Sequence, residues 1–86
     1  MDESQSILSH GEREIAAMLR AGRSVEEIAA ERDDPVPVVE KAIDRIRDKT
    51  RRALVTLLQS PHTDAVAADL DAEERSRLRT ALDRAE

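Results

Sequence analysis

Three times in this 86-residue chain a Ser or Asp is followed three positions later by Glu: Ser9 with Glu12, Ser24 with Glu27, and Asp71 with Glu74. In such a capping box the first side chain accepts a hydrogen bond from the third helical N–H, while the glutamate reaches back to the cap's own N–H. Each pair therefore marks where a helix begins. Behind Ser9, the residues Ile15, Met18 and Leu19 repeat at i, i+3, i+4 and predict a first helix of about ten residues that stops at Gly22. Behind Ser24, Val25, Ile28 and Ala29 form the inner face of a short second helix, so the two make a helical hairpin. Behind Asp71, Leu78, Ala81, Leu82 and Ala85 keep the same period. Helix starts spread in this way predict an all-α chain.

Between the hairpin and the tail lies a longer apolar stripe. Glu31 to Asp34 reads as a loop with Asp34 as N-cap, and the helix start falls between Pro35 and Val38, because Pro37 disfavours α geometry at Val36. From there Val39, Ile43, Ile46, Thr50, Ala53, Leu54, Leu57 and Leu58 hold helical spacing until Pro61 forces a stop. The segment is roughly 24 residues, about 36 Å at the α-helical rise. The hairpin is too short to cover it, so Ala53 to Leu58 needs partners from the tail, where Pro61 and Thr63 open a short segment through Val66 and Leu70.

The chain contains no Phe, Trp, Tyr or Cys, so its core must be aliphatic and no disulfide or thiolate metal site can reinforce it. A domain of this size buries only about 60 % of its unfolded surface. Oligomerisation is the remaining remedy, which predicts a homodimer. The tail pairs within one chain, with a second copy, or both. The net charge of −5, from 19 acidic and 14 basic residues, has the wrong sign for bulk attraction to phosphate. The bias of 12 Arg over 2 Lys fits a GC-rich genome and, with the acidity, a salt-adapted host. Molar salt would screen that charge within about 3 Å. No basic region precedes an apolar run and no long apolar run occurs, so the expected setting is cytoplasmic, with neither export nor membrane. His10 and His62 lie apart and lack an orienting carboxylate beside Ser6, Ser9, Ser60 or Thr63. No catalysis, metal or cofactor is expected.

In order and spacing, Leu8-Ser9, Glu14-Ile15, Gly22, Ser24 and Glu27-Ile28-Ala29 resemble the DNA-binding domain of LuxR-type regulators and the related region 4 of sigma factors. The likeness covers about half the chain without insertion, and Val39, Ile43 and Ile46 fall where that family's recognition helix points inward. It looks like freestanding members, and the stretch Glu40 to Leu57 is somewhat similar to the long last helix of archaeal Tfx-like regulators. The resemblance implies a tri-helical helix-turn-helix with a long third helix and a small helical C-terminal extension. By position it gives Glu14 the task of holding the hairpin together. The domains then read as a flexible N-terminus over 1–6, the helix-turn-helix over 7–50, and a helical extension over 51–86 that dimerises. The chain departs from the family at the turn, where Arg32, Asp33, Asp34 and Pro35 stand, and at Val38, Val39, Glu40 and Ala42. The family's contact residues are replaced there by apolar or acidic ones.

At 100° per residue the apolar stripe leaves Pro37, Lys41, Asp44, Arg45, Asp48 and Arg52 on the opposite face, flanked by Lys49 and Arg51. Arg45 to Arg52 holds five basic residues and one acidic one. On the functional reading Lys41 and Arg45 reach base edges of double-stranded DNA, and Arg47, Lys49, Arg51 and Arg52 neutralise phosphates. Arg23 and Arg20, beside the hairpin turn, are candidates for backbone phosphates. On the plainer reading these charges are the i, i+4 neighbours of a solvated helix. Leu54, Leu57, Leu58, Leu70, Leu78 and Leu82 are the expected dimerisation residues. The alternative is an adaptor that keeps the fold without DNA contact and docks on a second regulator or RNA polymerase through its acidic edge, Glu31 to Glu40, or its leucine-rich tail.

Overall fold

Helix α1 spans His10–Arg20, α2 Val25–Arg32, α3 Val36–Gln59, α4 Thr63–Ala68 and α5 Ala72–Asp83. The computed structural model describes residues 6–84, so positions 1–5 of the expected flexible terminus and Ala85 of the tail stripe lie outside the described residues. No strand occurs among the described residues, and the chain is all-α.

All three capping boxes form. The Glu12 N–H donates to Ser9 Oγ at 3.2 Å and the Ser9 N–H to Glu12 Oε1 at 2.9 Å. The reciprocal pairs at Ser24 with Glu27 and Asp71 with Glu74 lie between 2.7 and 3.1 Å. Helix ends follow equally local rules. After α1 the N–H of Gly22 donates to Leu19 O and that of Arg23 to Met18 O, while Gly22 sits at φ 88°. After α2 the N–H of Asp33 donates to Ala30 O and that of Asp34 to Ala29 O, with Asp33 at φ 56°. Both are Schellman endings; the first has the usual glycine in the left-handed position and the second an aspartate.

The second ending corrects the sequence reading of this region. Glu31 and Arg32 belong to α2, and Pro35, not Asp34, is the N-cap of α3, with no side-chain cap bond. Pro37 fits inside the first turn because its missing N–H would have had no helical acceptor there. The connection from α2 to α3 is thus only three residues, 33–35.

Both α1 and α2 pack on α3. Their common core is Ile15 from α1, Ile28 and Ala29 from α2, and Val39 and Ala42 from α3, with Met18, Val25, Val36, Ile43 and Ile46 partly buried against it. Ile28 and Val39 are fully buried, each stabilising the fold by roughly 1.5–3 kcal/mol relative to exposure. Ala42 is a core residue that the stripe of large apolar side chains did not include. Leu19, expected inside, is exposed.

Beyond Ile46 the stripe on α3 continues but its cover stops. Residues 50–59 are all exposed, so the tail does not bury Leu54, Leu57 and Leu58 as a compact intrachain partner would. The α3 to α4 corner is nonetheless fixed, since Thr63 Oγ1 donates to Leu57 O at 2.6 Å and to Ser60 O at 3.3 Å. In the tail, Ala67, Leu70, Leu78 and Leu82 line a shallow groove between α4 and α5, with Arg75, Arg79 and Asp83 around it. The radius of gyration is 14.6 Å, against about 12 Å for a compact chain of this length.

Candidate nucleic-acid interface

The outward side of α3 carries Lys41, Asp44, Arg45, Asp48 and Arg52, with Glu40 and Arg51 on one flank of it, all exposed. The burial of Val39 and Ala42 turns the opposite side of the helix toward solvent, with Lys41 and Asp48 near its centre and Arg45 toward its edge. Lys41 and Arg45 are one turn apart on this side. Among the described residues no ion pair involves Lys41, Arg47 or Arg51, whereas Arg52 Nη2 lies 3.0 Å from Asp48 Oδ2 one turn before it. The basic run therefore does not form one patch. Arg47 and Arg51 share one flank, and Arg45 and Lys49 share the other.

That second flank meets α1. Glu12, the capping glutamate of α1, is buried, its side chain only 6 % exposed. Its Oε1 accepts from Lys49 Nζ at 2.6 Å and its Oε2 from Arg45 Nε at 3.2 Å. With the Ser9 N–H also on Oε1, one carboxylate closes the helix start and ties it to two successive turns of α3. These donors stabilise the charged form. They hold the Glu12 carboxyl at about 2, well below its ordinary 4.5: the Lys49 bond first, then the Ser9 N–H, against an opposing push from desolvation, with Arg45 adding to the lowering. Lys49 thus turns toward α1 instead of lying free beside the outer face. Arg45 stays 58 % exposed, bonded to Glu12 only through Nε among the described residues.

The hairpin turn holds a second set of pairs. Arg23 bonds Glu31 across it. Arg32 Nη1 donates to Glu14 Oε2 at 2.5 Å and its Nε to Asp34 Oδ2 at 3.3 Å, while His10 Nε2 lies 2.6 Å from Glu14 Oε1. Glu14 accordingly links α1 to the end of α2. Arg23 is engaged within the chain, and Arg20 lines a groove with Glu73, Arg77 and Arg84 of the tail. The acidic groups at the turn, Asp33 and Glu40, are exposed.

Of the residues expected at a DNA surface, the fold brings Lys41, Arg45 and Arg52 to one side of α3 and sets Arg51 apart, with Lys49 inward and Arg23 at the hairpin turn. Glu12 was read from the sequence only as a cap. Its partners lie 33 and 37 positions away, beyond any local signal. The expected dimerisation residues divide between two elements. Leu54, Leu57 and Leu58 are exposed on α3, Leu58 at 87 %, while Leu78 and Leu82 are exposed on α5 and Leu70 is half-buried before it. Among the described residues no cluster of His, Cys, Asp or Glu could hold a metal, and no helix is long and apolar enough to cross a membrane. No family model matches the chain, and neither a curated protein nor a solved structure matches it.

Proposed function

We propose that the chain is a small DNA-binding transcription regulator, acting as a homodimer, in which α2, the turn 33–35 and α3 form a helix-turn-helix of the LuxR-type or sigma region 4-like kind. The observation that carries this reading is the outer side of α3, where Lys41 and Arg45 stand exposed one turn apart at the start of a helix held by α1 and α2. A helix so supported can enter a major groove with its early turns at the base edges. Arg51, farther along and in no ion pair among the described residues, is available to phosphates.

Surface area supports the homodimer. The chain exposes 6957 Å², against about 5,100 Å² for a compact monomer of this mass. Exposed leucines on α3 and α5 are the apolar part of that surplus. Two copies would present their α3 helices to successive major grooves about 34 Å apart.

The test is fluorescence anisotropy of the folded protein against a random-sequence duplex pool, titrated over KCl. Saturable binding that weakens linearly on a log-log salt plot is the expected result. Lys41→Ala and Arg45→Ala reduce affinity and relax sequence preference, whereas Arg51→Ala lowers the salt slope by about one without altering preference. Absence of binding by folded protein at every salt refutes the reading. A second reading, the protein-docking adaptor, is favoured by the exposed carboxylates of Asp33, Glu40 and Asp44, which repel phosphate. Reversing Glu40 and Asp44 to Lys separates the two: an adaptor gains nonspecific DNA binding and loses its protein partner, while a reader changes sequence preference.

A further inference from the structure

Arg45 is held in an unusual way for a cation offered to a ligand. Its Nε donates to a carboxylate that is itself buried and fixed by a helix cap, while the Arg45 side chain as a whole remains more than half exposed. A guanidinium secured through Nε keeps its planar fork of two terminal nitrogens in a set orientation, and that fork is the geometry that matches a guanine edge or a phosphate bidentately. Lys49, on the other oxygen of the same carboxylate and only 30 % exposed, keeps Glu12 from swinging out with Arg45.

We propose that Glu12 is a positioning residue for DNA recognition: it fixes the Arg45 fork for a base edge and withholds Lys49 from the phosphates. The inference rests on the DNA-binding reading above. Glu12 touches no nucleic acid itself. Its effect is to trade nonspecific attraction for selectivity, because freeing both cations would strengthen binding to any duplex while loosening the one side chain that discriminates.

The discriminating substitution is Glu12→Gln. Glutamine serves in a capping box as glutamate does, so the start of α1 is retained while the charge that holds Arg45 and Lys49 is removed. The probes are a duplex of about three helical turns selected by the wild-type protein from a random pool, and a scrambled duplex of the same composition. With folding verified by circular dichroism, Glu12→Gln is expected to lower the ratio of affinities for the two duplexes about tenfold and to steepen the salt slope by about one. Arg45→Lys, which lacks the fork, should cost a similar loss of preference in the wild-type background and almost none in the Glu12→Gln background. In NMR spectra the Arg45 Nε–H signal should be protected from exchange in the wild type and broadened in Glu12→Gln. Unchanged preference and slope in Glu12→Gln, or an equal cost of Arg45→Lys in both backgrounds, overturns the inference and leaves the DNA reading standing. Failure of the wild type to bind any duplex overturns both.

Discussion

Replacing Ile28 by Ala and, separately, Leu58 by Ala removes the same three carbon atoms from opposite environments. Ile28 is fully buried between α1 and α3, whereas Leu58 is 87 % exposed near the end of α3. Three buried carbons at about 0.8 kcal/mol each give about 2.4 kcal/mol of lost transfer energy. The cavity left in a close-packed core raises the total to about 3–4 kcal/mol, inside the usual 2–5 for such truncations. A chain of 86 residues has a total stability of about 4–13 kcal/mol, and a core of five buried apolar side chains among the described residues belongs toward the low end. Ile28→Ala should therefore remove half or more of the stability, and Leu58→Ala should stay within about 0.5 kcal/mol. The assay is urea unfolding followed by far-UV circular dichroism, at protein concentrations low enough that the midpoint no longer depends on dilution. With a slope of about 1 kcal/mol per molar urea, Ile28→Ala moves the midpoint down by about 3 M or leaves the chain unfolded in buffer. A loss under about 1 kcal/mol at Ile28, or an equal loss at both sites, would refute the assignment of the core.

Acid should weaken the fold through Glu12. Its folded pKa lies near 2, below the ordinary 4.5, so its stabilisation is complete above about 4.5 and disappears as pH falls toward 2; thermal midpoints across that window should fall less in Glu12→Gln than in the wild type. Glu27 and Asp71, each held below the usual range chiefly by a backbone N–H, Ser24 for the first and Glu74 for the second, add to the same loss and persist in that variant. Ser24→Ala removes the acceptor for the Glu27 N–H and should cost about 1 kcal/mol in the same urea assay, where no measurable change would count against the cap. Gly22→Ala forces an L side chain to φ 88° and should cost about 1–2 kcal/mol, although nothing lies within 4 Å of the added carbon; neutrality there would mean that the turn relaxes to another conformation.

Helix starts were legible because they are decided within four residues, and Ser9, Ser24 and Asp71 each carry their partner glutamate with them. The stop at Gly22 was legible for the same reason. The stop after α2 was not, since Asp33 takes the left-handed position usually given to glycine and so looked like loop from Glu31 onward. Ala42 escaped notice because a methyl group adds little to an apolar stripe, yet it lies buried in the common core. Lys49 was placed on the wheel correctly as a flank, but which neighbour that flank meets depends on how α1 crosses α3. The same limit applies to Leu54, Leu57 and Leu58: their spacing announces a face, and only the packed chain reveals that α4 and α5 leave it open.

Because α3 is gripped by α1 and α2 over its first half and bare over its second, one continuous helix joins two regions of unequal protection. Amide protons of α3 in the half packed on α1 and α2 should exchange mainly through opening of the core, while those after Thr50 need only a local opening of the bare half. Hydrogen exchange along α3 should step down near Thr50, and whatever seats against the bare half will be read first as the disappearance of that step.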